Sequence, residues 1–488
     1  MKIFKTFIDE VENNYISPSD ESPDYIINYF CVPKKDNDGN YTKKRMVRHG
    51  SFSAKGKMSI NDWIRSEKCK MESLPNLKDY IHLLIDKKFF ALRDLSNAFR
   101  QLGLCPEIPL KIGYSVCGMF FIDNRQPYGI ASAAANCQKF GDILLWIMRN
   151  KLTEHIPNTG FTVHIDDFVL AAKRKTHCNE LECIFDRLCN NVGVKISTEK
   201  NVNTTTRATV YGLNFDLKNK TVSLPDKKYN RMKKLVTLTI ELGYITGKAL
   251  KSLTGNIMYI SQLRKESKAL CHRLIGVIGE KMRNKQLDNF QIFKLPDFVL
   301  RDLRFWLKYI DCIRINNMAS IINNPSITIV SATDASSKAG GFIIGSKWGY
   351  FPFNNMQISW HINQKEAFVI LEMIYSIKEF LSGKKLLIFT DNQAVFYSIK
   401  NKWSRHNSMM MFIYEICILL IKYKIAIWVE WIPTYTNIFA DALSRNKLDT
   451  FHEDANKFGI KFDAKPILRE TKFNQFEFTS NRMITINQ

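Results

Sequence analysis

Long hydrophobic runs are missing from this chain of 488 residues. No stretch approaches the ~18 consecutive apolar residues that a spanning helix needs, so no membrane span is expected. Met1-Lys2-Ile3-Phe4-Lys5 is not followed by an apolar core and a cleavage site, so no secretory signal is expected. Closely paired cysteines are missing too. The 11 cysteines are dispersed, with no Cys-x-x-Cys spacing, which points to reduced thiols in an intracellular protein rather than a disulfide scaffold. His177, Cys178, Cys183 and Cys189 cluster, but their gaps do not fit zinc-ligand spacing. Negative charge is scarce: 47 acids stand against 70 Lys and Arg, a net +23. That excess speaks of a polyanionic partner, nucleic acid before an anionic membrane surface. There is no internal repeat. With 45% hydrophobic and 24% charged residues the chain is globular, and its length suits roughly two to four domains.

The residues that are present centre on Phe161-Thr162-Val163-His164-Ile165-Asp166-Asp167-Phe168-Val169-Leu170, an apolar run broken by two adjacent acids. β-Branched and aromatic residues on both sides predict a hairpin with two carboxylates at its tip, a place able to hold a divalent cation. Alone, Asp-Asp is ordinary turn chemistry. Upstream, Phe89 to Leu95 predicts a strand that ends in Asp94 and turns into a helix through Ser96 to Gln101. Asp94 can cap that helix or serve as a ligand at a sheet edge. The first forty residues read as an irregular lead-in broken by Pro18, Pro23 and Pro33. A basic strand-like segment, Lys43 to Gly50, and a loop from Ser53 to Lys57 lead to Ser59, a candidate helix cap. Gln126-Pro127-Tyr128-Gly129-Ile130 reads as a turn before a small-residue helix from Ser132 to Met148. A helix is expected near Glu180 to Asn190, and Thr209 to Phe215 reads as one strand. After Pro225 a helix whose start is crowded by Lys227, Lys228, Arg231, Lys233 and Lys234 runs to Gly243, and a second spans Thr246 to Leu263.

Asn323-Asn324-Pro325 opens a region of different rhythm. Strands are expected at Ser326 to Thr333, Gly340 to Ser346, Trp348 to Phe353, Leu386 to Thr390 and Ile425 to Trp431. Helices are expected at Gln364 to Leu381, Gln393 to Lys400, Ser408 to Ile421 and Phe439 to Leu443. Three hairpin strands and then alternating helix and strand describe a mixed sheet with helices on its faces. Four acids occupy strand ends and helix starts: Asp334, Glu366 on the first turn of the long helix, Asp391 and Asp441. Each has a structural explanation. Asn363 with Glu366 makes a capping box, Asp391 can cap the next helix, Asp334 suits a turn, and Asp441 can pair with Arg445 at i+4. Together they fall where ligands bind at an α/β sheet edge, and four clustered carboxylates require cations between them. The segment from Asn446 to Gln488 carries no clear periodicity.

These stations resemble a retroelement reverse transcriptase joined to a ribonuclease H domain over about Arg45 to Arg445, most like the DIRS-like, tyrosine-recombinase class of retrotransposons. Arg45-Met46-Val47 through Ser51-Phe52 to Ser59-Ile60-Asn61-Asp62 is similar to the fingers motif, with Arg45 gripping the incoming triphosphate. Asp94-Leu95-Ser96-Asn97-Ala98-Phe99 resembles the first palm motif, which implies Asp94 as a metal ligand and Phe99 as the gate against a ribose 2′-hydroxyl. Gln126, Tyr128 and Gly129 match the template and nucleotide-positioning motif. His164-Ile165-Asp166-Asp167 matches the catalytic hairpin. Lys200 falls where a proton donor to pyrophosphate stands, and Tyr211-Gly212-Leu213 resembles the primer grip. Asp334, Glu366, Asp391 and Asp441 match the ribonuclease H set. Three positions depart from the pattern: His164 replaces an aromatic residue, His49 an acid, and Tyr435 a residue that is often His or Lys.

The resemblance implies a multidomain α+β and α/β fold. Fingers and palm would occupy 1–225, a helical thumb and connection 226–322, an RNase H-like domain 323–446 and an unassigned tail 447–488. Asp94, Asp166 and Asp167, and separately Asp334, Glu366, Asp391 and Asp441, are the expected catalytic residues and metal ligands, with two Mg²⁺ roughly 3.5–4 Å apart at each site and Mn²⁺ as a substitute. RNA template, DNA primer, RNA–DNA hybrid and dNTPs are the expected partners. The rival readings are an inactive or domesticated nucleic-acid-binding relative, a structural basic protein, and a DNA-templated polymerase.

Overall fold

A computed structural model describes residues 2–35, 41–53, 58–66, 74–105, 112–283, 288–322 and 329–467. Residues 54–57 of the Ser53 loop, the Asn323-Asn324-Pro325 punctuation and residues 468–488 of the tail lie outside that set. The chain divides into two compact units, one of residues 1–208 with 216–219 and one of 209–215 with 220–488. Among the described residues no helix is long and apolar enough to cross a membrane.

The first unit is built on a four-stranded antiparallel sheet. Its order is Val202–Thr205, Phe89–Asp94, Asp167–Ala172, Thr159–His164. The hairpin expected around Asp166-Asp167 forms, because the apolar residues on both sides of the tip are needed in one core. Phe161, Val163, Phe168 and Leu170 pack there with Leu144 and Leu145 of helix Ala133–Ile147 and with Leu181 and Phe185 of helix Lys175–Asn191. The expected irregular lead-in is instead ordered over its described residues, 2–35. Helix Lys2–Glu12 and strands Ile16–Ser19, Tyr25–Ile26 and Tyr29–Lys35 form there. Proline misleads as a breaker in this segment because Pro18 and Pro33 sit in edge strands, where a missing N–H is tolerated. Phe7 of the first helix meets the rings of Tyr114 and Phe121 at 6.3 and 4.8 Å, which seals this second, smaller core.

The second unit begins with a hairpin. Thr209 to Phe215 is not one strand: Tyr211 and Gly212 take left-handed φ of 53° and 70° and fold the segment back on itself. Helix Asp226–Leu242 comes next and ends, as its sequence predicts, at a left-handed Gly243. Helix Gly247–Ile260 is capped by Thr246 through the Ala249 N–H at 3.2 Å. Helices His272–Arg283 and Asp297–Ile313 complete the helical part. The five-stranded sheet has the order Lys347–Pro352, Ala339–Ile344, Ile329–Ala335, Lys385–Thr390, Ala426–Trp431. Its first three strands are antiparallel and its last two join in parallel. Helix Ile362–Ser376 is apolar almost all round because it is packed on all sides, with Ala367 to Leu371 fully buried between sheet and helix Asn407–Lys422. The expected helix to Leu381 breaks after Ser376, and Lys378–Leu381 continues it separately. On the other face Gly341 lets helix Ile438–Ser444 press against the sheet, since a Cβ there would lie 2.5 Å from the Ser444 nitrogen. The segment after Asn446, unreadable from periodicity, forms helix Leu448–Lys457 and buries Phe451 against Trp348 and Leu443.

Asp302 ties the helical part to the sheet layer. It is 3% exposed, accepts from the Tyr414 hydroxyl at 2.9 Å and lies 3.6 Å from Arg273. Burial, only partly offset by Arg273 and Tyr414, pushes its carboxyl up to about 6. The folded value exceeds the unfolded value of ~3.9, so the folded chain holds this proton more tightly. Stability from this group is fully present below about pH 4 and is lost as pH rises through about 6. Asp302→Asn keeps an acceptor for Tyr414. It is expected to stabilise the protein at pH 7.5 by on the order of 2 kcal/mol, with the advantage vanishing near pH 4. Urea melts of both proteins across that window test this, and an advantage that persists at low pH refutes it.

Candidate active sites

Asp94 ends strand Phe89–Asp94 and stands directly opposite Asp167 in the antiparallel register. Asp166 lies between the hairpin strands, its carbonyl accepting from the Leu95 N–H at 3.2 Å. The three expected acids of the first unit are therefore neighbours. Burial first, then the charge of Asp94, raises the Asp166 carboxyl above its ordinary value. Asp167 keeps an open face to solvent, yet the surrounding protein and the charges of Asp166 and Asp94 hold it well above the usual carboxylate range. Lys200 donates to Asp94 Oδ1 at 2.5 Å. That lysine and Arg45 both favour the ionised form of Asp166.

The tip adopts its shape under constraint. Ile165 has φ of 62°, a left-handed conformation that a β-branched residue rarely takes. Buried Gln138, on the helix behind, holds it there. Its Oε1 accepts from the Ile165 N–H at 2.7 Å and its Nε2 donates to the Val163 carbonyl at 3.2 Å. The Cys137 thiol donates to the Ile165 carbonyl at 3.4 Å. Neither residue carries a sequence signal beyond its place on a small-residue helix.

Around this centre the other expected residues gather. Phe99 packs on Tyr128 with ring centroids 5.1 Å apart, and Arg45 lies 5.3 Å over the same Tyr128 ring. Gly129 has φ of 100° and a Cβ there would fall 2.0 Å from the Arg48 carbonyl, so the turn requires glycine. Asn61 fixes the turn, donating to the Gly129 carbonyl at 3.0 Å and accepting from the Ala131 N–H at 2.8 Å. Gln126 is buried and anchored by its N–H to the Leu102 carbonyl at 2.9 Å. Beneath lies a buried charge network. Arg48 makes a two-pronged contact with Asp123 at 2.9 and 2.5 Å, and Arg100 joins Asp123 at 2.8 Å and also pairs with Glu10.

In the second unit, oxygens of Asp334, Glu366 and Asp391 all lie within 4.8 Å of one another. Asp334 sits inside strand Ile329–Ala335, not past it. Glu366 is in the second turn of its helix rather than the first, because His361 and Gln364, not Asn363 and Glu366, form the capping box. Asp391 is not a cap either; Asn392 takes that role, accepting from the Val395 N–H at 3.1 Å. Asp391 is held instead through its carbonyl, which accepts from Trp431 Nε1 at 2.9 Å. Asp441 stands outside the close trio. It pairs with Arg445 at 2.7 Å, as the i+4 spacing predicts, and its charge still raises Asp334. Burial, relieved in part by the Ser444 hydroxyl and worsened by Asp391 and Asp441, pushes Asp334 up to about 6. Glu366 is raised well above its ordinary value, by burial and then by Asp334 and Asp391. Its buried Oε2 has no hydrogen-bond partner among the described residues. A trio of carboxylates with an orphaned oxygen is a donor set that fits hard divalent cations. Tyr435 is 81% exposed on the turn before helix Ile438–Ser444.

Tyr211, Gly212 and Leu213 belong to the second unit and to neither acid set. Their hairpin is pinned by the Tyr259 hydroxyl on the Tyr211 carbonyl at 2.6 Å and by Lys228 on the Gly212 carbonyl at 3.0 Å. None of the described cysteines is in a disulfide. Cys178 and Cys189 are buried while Cys183 faces solvent, and among the described residues they do not gather with His177 into a metal-ligating group.

No family model matches the chain. It is 21% identical over 482 residues to the retrovirus-related Pol polyprotein from transposon 297 of Drosophila melanogaster, covering 95% of this chain and 40% of that polyprotein. A solved foamy viral protease-reverse transcriptase in complex with dsDNA aligns with a TM-score of 0.50 and 16% identity, over 89% of this chain and 82% of the other. The same viral protein in complex with an RNA/DNA hybrid aligns at 0.47 and 14%, over 88% and 53%. The chain spans less than half the length of the curated relative it matches. The dsDNA-bound alignment spans both units, and the fold is a polymerase fold succeeded by an RNase H-like domain.

Proposed function

We propose that this chain is an RNA-directed DNA polymerase that also cleaves the RNA strand of RNA–DNA hybrids, from a retroelement of the DIRS-like class. The observation that carries the reading is the register of Asp94 against Asp167, with Asp166 beside them, in a chain whose second unit independently gathers Asp334, Glu366 and Asp391. On this reading 1–225 forms fingers and palm, 226–322 thumb and connection, and 323–446 the RNase H-like domain. The subclass rests on motif likeness alone. A retroelement enzyme of this kind works inside the cell, in cytoplasm or nucleus.

Both acid sets suit Mg²⁺, two ions to each, with Mn²⁺ as substitute; bound there, such ions ease deprotonation of the attacking hydroxyl or water and neutralise the leaving oxygen. Asp94, Asp166 and Asp167 would hold them for polymerisation, and Asp334, Glu366, Asp391 and Asp441 for RNA cleavage. Arg45 binds the triphosphate of the incoming dNTP, and Gln126, Tyr128 and Gly129 shape the nucleotide pocket. Lys200, already at the carboxylate edge, protonates the departing pyrophosphate. Tyr211, Gly212 and Leu213 contact the primer. The basic surface, Lys227 to Lys234 included, tracks phosphates without reading sequence.

Phe99 excludes the ribose 2′-hydroxyl by bulk. Phe99→Val is expected to raise ribonucleotide use relative to deoxynucleotide use about ten- to a hundredfold. Single-nucleotide kcat/KM for dCTP and rCTP measures it, and an unchanged ratio removes the gate from this residue. The test of the whole reading is primer extension by the purified chain on a DNA-primed RNA template with Mg²⁺ and dNTPs, together with cleavage of a labelled RNA–DNA hybrid. A folded protein that binds the hybrid but does neither favours a non-catalytic relative.

A further inference from the structure

At the edge of the nuclease-like sheet, strand Ala426–Trp431, the end of helix Gln393–Asn401 and the turn after Ile260 enclose a cavity of about 110 Å³. Its wall bears Arg264, Lys265, Lys400 and Lys402 against one acid, Glu266: four cations less one anion, a net +3. The helix that ends here starts at Asn392, beside Asp391. Its nine residues span roughly 14 Å.

Lys402 is the unusual residue. It is only 6% exposed, and its ammonium has no hydrogen bond or ion pair among the described residues, yet is not sealed off. It also has φ of 57° and ψ of 32°, the left-handed helix terminus where glycine or asparagine is the unstrained choice. The helix C-terminus accounts for the sign of the charge. The left-handed conformation closes the helix, but it does not account for the burial of the lysine side chain, because a surface lysine in the last turn serves the same end. Around it, two buried donor atoms lack acceptors: Trp428 Nε1, and the Nε of Arg264, whose guanidinium otherwise pairs with Glu266 at 3.8 Å and donates to the Leu420 carbonyl at 2.8 Å. A buried donor without an acceptor costs stability unless a ligand completes it.

We propose that this cavity is a phosphate-binding site in which Lys402 contacts the phosphate oxygens, flanked by Lys265 and Lys400. Its volume exceeds that of a water molecule several-fold, and a net +3 suits a multiply charged oxyanion. The phosphate belongs to a nucleic-acid backbone or to a free phosphate or nucleotide, and the site requires nothing of the polymerase reading.

The test uses the full chain without divalent ions. Inorganic phosphate is titrated against chloride at constant ionic strength, with melting temperature and tryptophan fluorescence as readouts. A saturable rise in melting temperature is expected, with apparent affinity weakened at least tenfold in Lys402→Gln and Lys402→Gly. Lys402→Gly removes the strain and should melt higher than the parent without phosphate, which keeps a folding defect from mimicking the result. Displacement of phosphate by an RNA–DNA hybrid with unphosphorylated ends identifies the backbone as the source. Displacement by mononucleotides alone identifies a small ligand. Absence of a saturable phosphate effect in the parent protein, or an undiminished effect in Lys402→Gly, overturns the proposal.

Discussion

Asp167→Asn is expected to abolish DNA synthesis, by at least about a thousandfold in kcat, while cleavage of the RNA strand continues. Asp167 faces Asp94 across the sheet and abuts Asp166. Burial first, and then the charges of both neighbours, hold it above the ordinary carboxylate range. A site crowded with like charges is ready to take up a cation and loses that capacity when one charge goes. Asparagine keeps shape and hydrogen bonding, so the hairpin should stay folded. The change should therefore act on kcat far more than on hybrid affinity, which the proposed reading assigns to the basic surface. Extension and hybrid cleavage measured on one preparation decide it. Loss of both activities in a protein with unchanged melting temperature would sink the two-site reading.

The converse experiment is Asp391→Asn, with Glu366→Gln as its partner. Each is expected to lower RNA cleavage at least about a thousandfold and to leave extension intact. Glu366→Gln carries a second, opposite readout. Its carboxyl is raised by burial and by Asp334 and Asp391, and Oε2 has no partner among the described residues. Removing that charge should raise the melting temperature in metal-free buffer at pH 7.5, since the ionised form is the costly one there. A gain in stability with a loss of cleavage is the signature of a ligand. A loss of stability with cleavage retained marks a structural residue and removes Glu366 from the site.

The hairpin and its acids are legible in the sequence because a strand core announces itself by apolar alternation, and two charges in the middle of such a run must mark its end. The long-range partners are not. Nothing local in Gln138 says that it will hold the Ile165 backbone, and the left-handed Ile165 contradicts its own propensity. The sequence puts Glu366 one turn early because His361 is an unusual cap, and an Asn three residues before a Glu is the commoner pattern. Thr209 to Phe215 reads as one strand by composition, and only the pair of positive φ angles at Tyr211 and Gly212 makes it two. Order in residues 2–35 is hidden because their strands are short edge strands in which proline is permitted. Helix Leu448–Lys457 is hidden because its stability comes from Phe451 against a sheet far away in sequence.

The grip of Gln138 on the hairpin makes an uncharged amide the custodian of where two charges sit. The direction in which those aspartates point is inherited from the helix behind them, so a change as mild as Gln138→Leu would turn the pair aside with every acid still in place. For this chain, robustness of the chemistry is decided one layer behind the atoms that perform it.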